Sequence, residues 1–296
     1  MKEFPTGLIF CEGPHDIAFI RLVLSRCFGF GSVSWKFSEY PAPFNLLFPT
    51  KMEQHAGLDL RLDFAHKFFL PDKVLKKDNQ LMFLFNIGGA SFRNEESEDK
   101  VKMFLSEFLT LLSSKAVFPG NAAAMVGDVQ YLFTFDADHL GVDKVRRDVL
   151  EKLRMIDNKP WFDGDLKTFP DNPFAAECGK KGIYIWAADS QMGTLEDVLM
   201  PLFQESRPEL MEQAESAIDD MFTWDTKAES LIKAVSQTAK RRKSIITLSG
   251  QGETPGSSMN VVLDRAKIID ENVFKQNPAV QNFATFLARF FDLQPS

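Results

Sequence analysis

The sequence has few residues of the kinds that cross-link small proteins or bind zinc. Its 296 residues include three cysteines, Cys11, Cys27 and Cys178, with no CxxC pair, and four histidines without metal-ligand spacing to them. These shortages argue against a disulfide framework and a zinc knuckle, and they favour free thiols in a reducing compartment. No run of about 18 apolar residues occurs, so we expect no membrane-spanning helix.

Basic residues are scarce relative to acidic ones. The chain carries 34 lysines and arginines against 41 aspartates and glutamates, a formal net charge of -7, which argues against a surface that binds nucleic acid everywhere. The segment MKEFPTGLIFCEGPHD lacks an uninterrupted apolar stretch behind a basic start, so we predict no signal peptide. Apolar residues make up 45%, as in globular proteins. We expect a soluble cytoplasmic protein.

Four short apolar segments alternate with patterns of helical period. The predicted strands and helices are, in chain order, 7–11, 15–28, 81–87, 97–112, 131–135, 142–156, 182–188 and a helix capped by Thr194. Continuously apolar strands are typical of a sheet that is covered on both faces. The repeated strand–helix order predicts an α/β fold with a mostly parallel sheet and helices on both faces.

The chain divides into two predicted regions. Residues 1–205 hold the α/β domain, and prolines at 41, 43, 49 and 71 make residues 29–80 a loop-rich insertion with one or two strands. Residues 206–296 form a mainly helical extension packed on that domain. Its predicted helices cover 227–239 and 280–291.

Acidic residues follow three of the four predicted strands. They are Glu12, the pair Asp136 and Asp138, and Asp189, whereas the second strand ends at Gly88-Gly89. Because ligands bind at the carboxyl ends of such strands, we expect these acids to converge. Converging carboxylates repel each other unless a cation lies between them, and oxygen ligands favour Mg²⁺, then Mn²⁺. If the chain stays extended, Asp136 and Asp138 point the same way.

Each of these features also has an ordinary structural interpretation. Two acids two residues apart occur often by chance, so Asp136 and Asp138 alone are compatible with a solvated loop. Glu12 precedes a helix and could simply help to cap it. The basic run 240–243 closes a predicted helix, where four cations complement the helix dipole or contact phosphate.

Two segments, FCEGPHDIAFI and LFTFDADHLG, together resemble the Toprim domain. This domain occurs in topoisomerases, bacterial primases, recombination factors and the overcoming-lysogenization-defect nucleases. Its pattern of a Glu, a glycine turn and Asp-x-Asp after successive strands is matched by Glu12, Gly88-Gly89 and Asp136/Asp138. The ExxxD form of Glu12 and Asp16, and the later segment 193–197, are most similar to the nuclease branch and its small uncharacterised relatives. The resemblance covers about 6–205, with a longer spacer before the double glycine than in compact Toprim domains.

The resemblance implies metal-dependent hydrolysis of phosphodiester bonds in DNA or RNA, with Mg²⁺ or Mn²⁺ as the metal. Glu12 would be a metal ligand or the general base for water, and Lys243, ahead of a glycine-rich stretch, would neutralise charge on the phosphate. The residues implied to hold metal are Glu12, Asp16, Asp136, Asp138, Glu196 and Asp197, with Asp189 behind them.

The main alternative is a non-catalytic Toprim-like module that binds nucleic acid or a protein partner. The chain has no GxxxxGK[ST] motif, so it encodes no ATPase of the kind fused to larger nucleases, and FCEGPHD is not the GxGxxG of a dinucleotide-binding enzyme. If several of the acids surround a bound cation, that cation locally reverses the sign of the site. The net charge of -7 is then no argument against a phosphate substrate. Without metal, we expect poor binding of nucleic acid except through residues 240–243.

Overall fold

A mixed β-sheet organises the chain. The computed structural model describes residues 2–55, 70–88, 95–113, 124–169, 171–188, 191–225, 227, 230–265 and 267–295. The strands are β1 (Lys2–Cys11), β2 (Gly31–Ser32), β3 (Lys73–Lys77), β4 (Gln80–Asn86), β5 (Ala124–Asp136), β6 (Met155–Ile156), β7 (Lys159–Pro160), β8 (Lys167–Phe169), β9 (Asn172–Cys178) and β10 (Lys181–Trp186).

The helices alternate with these strands and then continue alone. They are α1 (Pro14–Phe28), α2 (Phe44–His55), α3 (Glu95–Ser113), α4 (Val142–Lys152), α5 (Leu195–Ser206), α6 (Pro208–Met221), α7 (Leu231–Ser249), α8 (Met259–Arg265), α9 (Glu271–Gln276) and α10 (Pro278–Phe291). Pro14 begins α1 because its fixed φ suits the first helical turn. Gly29 ends that helix with a φ of 74°, a left-handed conformation that glycine adopts without strain.

The central strands of the sheet are parallel. Within the described residues the sheet has eight strands in the order β2-β3-β4-β1-β5-β10-β9-β8. Neighbours from β4 to β10 run parallel, and the strands at both edges are antiparallel. The predicted α/β class and the four predicted strands are therefore confirmed, and the antiparallel edge strands β8 and β9 are an addition that the sequence did not predict.

The chain adds strands to the sheet first on one side of β1 and then on the other. The chain passes from β1 through α1 to β4, whereas β5 leads through α4 to β10 on the other side. Residues of α1 belong to the apolar cluster on one face of the sheet, and residues of α4 belong to the cluster on the opposite face. In doubly wound sheets such a reversal opens a crevice at the carboxyl ends of the strands. Here the crevice lies at the ends of β1 and β5.

Phenylalanine fills both faces of the sheet. Successive residues of β1 alternate between the clusters, with Cys11 in one and Phe10 in the other. The Phe10 ring stacks against Phe85 and Phe133 at centroid distances of 5.2 Å and 4.9 Å. Phenylalanine rings of three neighbouring strands, β4, β1 and β5, therefore pack together on one face of the sheet.

The predicted insertion contains more regular structure than expected. Strands β2 and β3 extend the sheet edge, as the expectation of one or two strands allowed. Helix α2 was not predicted, because Pro49 lies inside it and a proline usually interrupts a helix. Residues 56–69 of the insertion lie outside the described residues.

The C-terminal helices cover one face of the sheet. Residues of α1, α5 and α6 to α10 share one apolar cluster, so these helices pack together on the sheet. Helix α10 approaches the sheet at two glycines. A Cβ atom at Gly7 would lie 2.8 Å from the Phe291 ring, and one at Gly182 would lie 2.9 Å from the Phe290 ring. Over the described ranges, no helix is long and apolar enough to cross a bilayer.

Candidate functional site

Glu12 and Asp136 meet at the crevice between β1 and β5. Glu12 follows the last residue of β1, and Asp136 is the last residue of β5. Oε2 of Glu12 accepts a hydrogen bond from the backbone N–H of Asp136 at 3.1 Å. Oδ1 of Asp136 accepts one from the N–H of Leu195, the first residue of α5, at 2.8 Å. Two strand ends and the start of a helix therefore converge.

Asp16 lies beneath this junction, in the first turn of α1. Its Oδ2 atom accepts a hydrogen bond from the Gly13 N–H at 3.0 Å, which helps to begin the helix. Its side chain is buried, and among the described residues neither its Oδ1 atom nor the neighbouring Nε1 of Trp186 has a hydrogen-bond partner of normal geometry. A buried acceptor without a partner is rare in native proteins, and an ion is one of its common explanations.

Two basic side chains of α7 form ion pairs with Glu196 and Asp197, in the first turn of α5. Glu196 is buried, and its Oε1 lies 3.3 Å from Nζ of Lys243. Asp197 accepts a hydrogen bond from the Thr194 N–H at 2.8 Å and forms an ion pair with Arg242. Consecutive residues of α7 thus pair with consecutive residues of α5.

Burial and nearby negative charge make the Asp16 and Asp136 carboxyls hard to ionise. Burial first, and then the charges of Glu12 and Glu196, raise the pKa of Asp16 to about 8, with the Gly13 N–H and the Trp186 indole acting in the opposite direction. Burial likewise raises the pKa of Asp136 well above its usual range, and the Asp16, Glu12 and Glu196 charges add to the rise. The acids Glu12, Asp16, Asp136 and Glu196 therefore lie close enough to repel, and we call them the carboxylate cluster.

Asp138 does not continue the strand. Its φ is 49°, a left-handed conformation, and its backbone N–H donates to the Gly193 carbonyl at 2.7 Å. The extended chain on which Asp136 and Asp138 were expected to point the same way is therefore not present, because β5 ends at Asp136. Asp189 and Gly89 lie outside the described residues, while Gly88 follows β4 with a φ of 78°.

The donor chemistry of the carboxylate cluster suits a hard cation, but its present arrangement does not form a coordination shell. In the described part of the chain, no group of three or more His, Cys, Asp or Glu side chains is arranged to hold a metal ion. Glu12, Asp16 and Asp136 each direct an oxygen at a backbone N–H instead. Side-chain rotation would be needed to release these oxygens.

The basic run lies inside α7 and not at its end. The helix continues past the predicted boundary at residue 239 to Ser249, so neutralisation of a helix terminus does not explain these cations. Arg241 pairs with Asp219 and Glu215 of α6, and therefore it is not a freely available phosphate contact. The run instead joins α7 to α5 and α6.

Sequence reasoning missed the contributions of His15 and Arg242 to this region. His15 is half-buried, and burial first and then the charge of Lys243 lower its pKa to about 4, while Glu196 opposes the shift. The position of His15 between Glu12 and Asp16 was the available signal. Nothing in the linear sequence indicated that Arg242 would pair with Asp197.

The fold and the cluster define an α/β protein with a carboxylate-lined crevice at the switch point of its sheet. The chain belongs to the family described as "Protein of unknown function (DUF3226)", whose model matches residues 6–292. Among solved structures, a hypothetical protein from Pyrococcus horikoshii OT3 is similar in fold, with a TM-score of 0.50 and 15% identity over 98% of each chain. No curated protein matches the sequence.

Proposed function

We propose that this chain is a Toprim-type nuclease of the cytoplasm, which hydrolyses phosphodiester bonds of DNA or RNA with the help of Mg²⁺ or Mn²⁺. The observation that carries the proposal is the convergence of the carboxylate cluster where β1, β5 and α5 meet. Buried acids whose pKa is raised beside specific charged groups, as at Asp16 and Asp136, are typical of functional sites. Lys243, whose Nζ lies 3.3 Å from the Glu196 carboxylate, supports the same interpretation.

The residues of the cluster have distinct parts in this proposal. Asp16, Asp136 and Glu196 would hold metal together with Glu12, and Asp138 and Asp197 would complete the set from the adjoining loop and helix turn. A bound divalent cation stabilises charge on the phosphate oxygens and lowers the pKa of water. Glu12, at the end of β1, would accept the proton of the attacking water. Lys243 would add positive charge where the phosphate binds.

Cleavage assays with the purified protein test the proposal. DNA and RNA, each single- and double-stranded, are incubated with Mg²⁺, Mn²⁺ or a chelator. We expect metal-dependent cleavage, reduced about 100-fold or more in Glu12→Gln and Asp136→Asn, because each variant removes an ionisable oxygen from the reacting centre. Asp128→Asn is the matched control, since Asp128 also lies on β5 but pairs with Lys180 on the surface. Equal cleavage by all four proteins would contradict the proposal.

Within the described ranges the acids form no ready-made coordination shell, and this favours one other candidate, a non-catalytic Toprim-like module. Such a module would bind nucleic acid or a protein partner and leave the cluster closed. Calorimetry with Mg²⁺ and Mn²⁺ separates the two candidates. Tight metal binding together with cleavage supports the nuclease, whereas binding of nucleic acid without metal binding or cleavage supports the module.

A further inference from the structure

The two partners of the ion pair between Lys243 and Glu196 differ in how much of each side chain is exposed to solvent. The Glu196 side chain is only 5% exposed, whereas 46% of the Lys243 side chain is exposed, and the two charged atoms are 3.3 Å apart. The carboxylate is fixed inside the crevice, and the lysine reaches it from solvent on a flexible stem. Because an exposed ammonium loses little on returning to water, Lys243 can leave this pair readily, while Glu196 cannot move away from the cluster.

The neighbouring pair between Arg242 and Asp197 is more confined. Arg242 is 30% exposed and Asp197 is 14% exposed, and Asp197 also accepts a hydrogen bond from the Thr194 N–H. A guanidinium binds a carboxylate through a rigid planar fork, whereas an ammonium is a mobile point charge. The side chains of the two consecutive cations of α7 are therefore confined to different degrees, and that of Lys243 is the more mobile.

The charge of the carboxylate cluster explains why a mobile cation lies there. Glu12, Asp16, Asp136 and Glu196 lie close together, and Lys243 offsets the negative charge of the buried Glu196 carboxylate. A divalent cation among the same carboxylates would offset more of it and would also repel the ammonium. The lysine and the metal thus compete for the same negative charge.

We propose that Lys243 is exchanged between two partners, with Glu196 holding it in the metal-free protein and a substrate phosphate holding it once a divalent cation occupies the carboxylate cluster. This inference rests on the proposed function and adds an order of binding, metal first and nucleic acid second. Each ligand then strengthens the binding of the other, as linkage requires.

Calorimetric titration with Mn²⁺ and Mg²⁺ tests the first half of the exchange. Lys243→Gln removes the competing cation, so we expect it to bind metal about three- to tenfold more tightly than the unaltered protein. Lys243→Arg keeps the charge and should stay close to the unaltered protein. Lys240→Gln is the matched control, because it removes one positive charge from an exposed position one turn earlier on α7. A merely structural lysine would give the opposite sign, since its loss would loosen the site.

The salt dependence of oligonucleotide binding tests the second half. With Ca²⁺, a hard cation with the same preference for oxygen ligands, the slope of log affinity against log salt should be shallower by about one unit in Lys243→Gln, because one phosphate contact is lost. With a chelator, the unaltered protein and the variant should have equal slopes. The probes are short fluorescent single strands of DNA and RNA, whose integrity is checked after each titration.

The outcomes separate this inference from the proposed function. Unchanged or weaker metal binding by Lys243→Gln overturns the exchange while leaving the nuclease proposal intact, and so does a slope difference that is the same with and without metal. Failure of the unaltered protein to bind metal at all overturns the proposed function and the exchange together. Tighter metal binding with a slope difference confined to the metal-bound protein supports both.

Discussion

The Asp16 carboxyl determines the pH response that we expect of the metal-free protein. Its pKa rises from 3.8 to about 8, chiefly through burial, so the folded protein holds this proton more tightly than the unfolded chain does. The resulting stability is fully present below about pH 4 and is lost as the pH rises through about 8. Asp136 contributes in the same direction, because its pKa is also raised.

Replacing Asp16 with Asn should therefore remove the loss of folding stability that accompanies ionisation of Asp16 as the pH rises. With a chelator present, we expect the free energy of unfolding of Asp16→Asn, relative to the unaltered protein, to increase between about pH 5 and about pH 8. Urea denaturation at both pH values measures the change. Asp165→Asn, at an exposed aspartate, is the control and should show no such trend. A constant difference across the range would refute the assignment of a raised pKa to Asp16.

Helices α5 and α7 form the element pair that sets the edge of the site. Arg242 reaches Asp197, which in turn accepts the Thr194 N–H, and the next residue, Leu195, donates to Asp136. One ion pair between helices therefore supports the first turn of α5, from which the site is built. Its loss should loosen the position of that turn.

A double-mutant cycle measures this coupling between elements. Asp197→Asn, Arg242→Gln and the double variant are compared in urea denaturation, and we expect a coupling energy of about 1–2 kcal/mol, because the pair is a partly buried, charge-assisted hydrogen bond. Arg241→Gln combined with Asp197→Asn serves as the control, since Arg241 pairs with α6 instead. Strictly additive energies for Asp197 and Arg242 would show that the ion pair does not hold the helices together.

At the scale of elements, the apolar runs were enough to place the central strands. Each run is continuous and is followed by an acid or a glycine, so the ends of β1 and β5 were predicted at Cys11 and within one residue of Asp136. The edge strand β8 was missed because it is short and mostly exposed. The end of α7 was misplaced because lysine and arginine continue a helix as readily as they close one.

At the scale of the whole molecule, the docking of α10 on the sheet depends on small residues in β1 and β10. We expect Gly182→Ala to destabilise the protein by about 1–3 kcal/mol, because its Cβ atom would overlap the Phe290 ring in a packed interface. Alanine otherwise suits a strand better than glycine does. A loss of stability in Gly182→Ala would therefore point to the overlap with Phe290, since the change in strand propensity alone would stabilise the protein. Gly31→Ala in β2 is the control, since nothing lies within 4 Å of its Cβ position. Equal melting temperatures for the two variants would contradict this account of α10.

The sequence by itself determined the α/β class, the central strands and the placement of acids after three of them, because these features depend on local apolar runs and the residues that end them. Only the tertiary structure decided which acids meet. It joined Glu12 to Asp136 across neighbouring strands, turned the chain at Asp138, and brought Lys243 from a distant helix to Glu196. Contacts of this kind depend on strand order and helix packing, and no local pattern of residues encodes them.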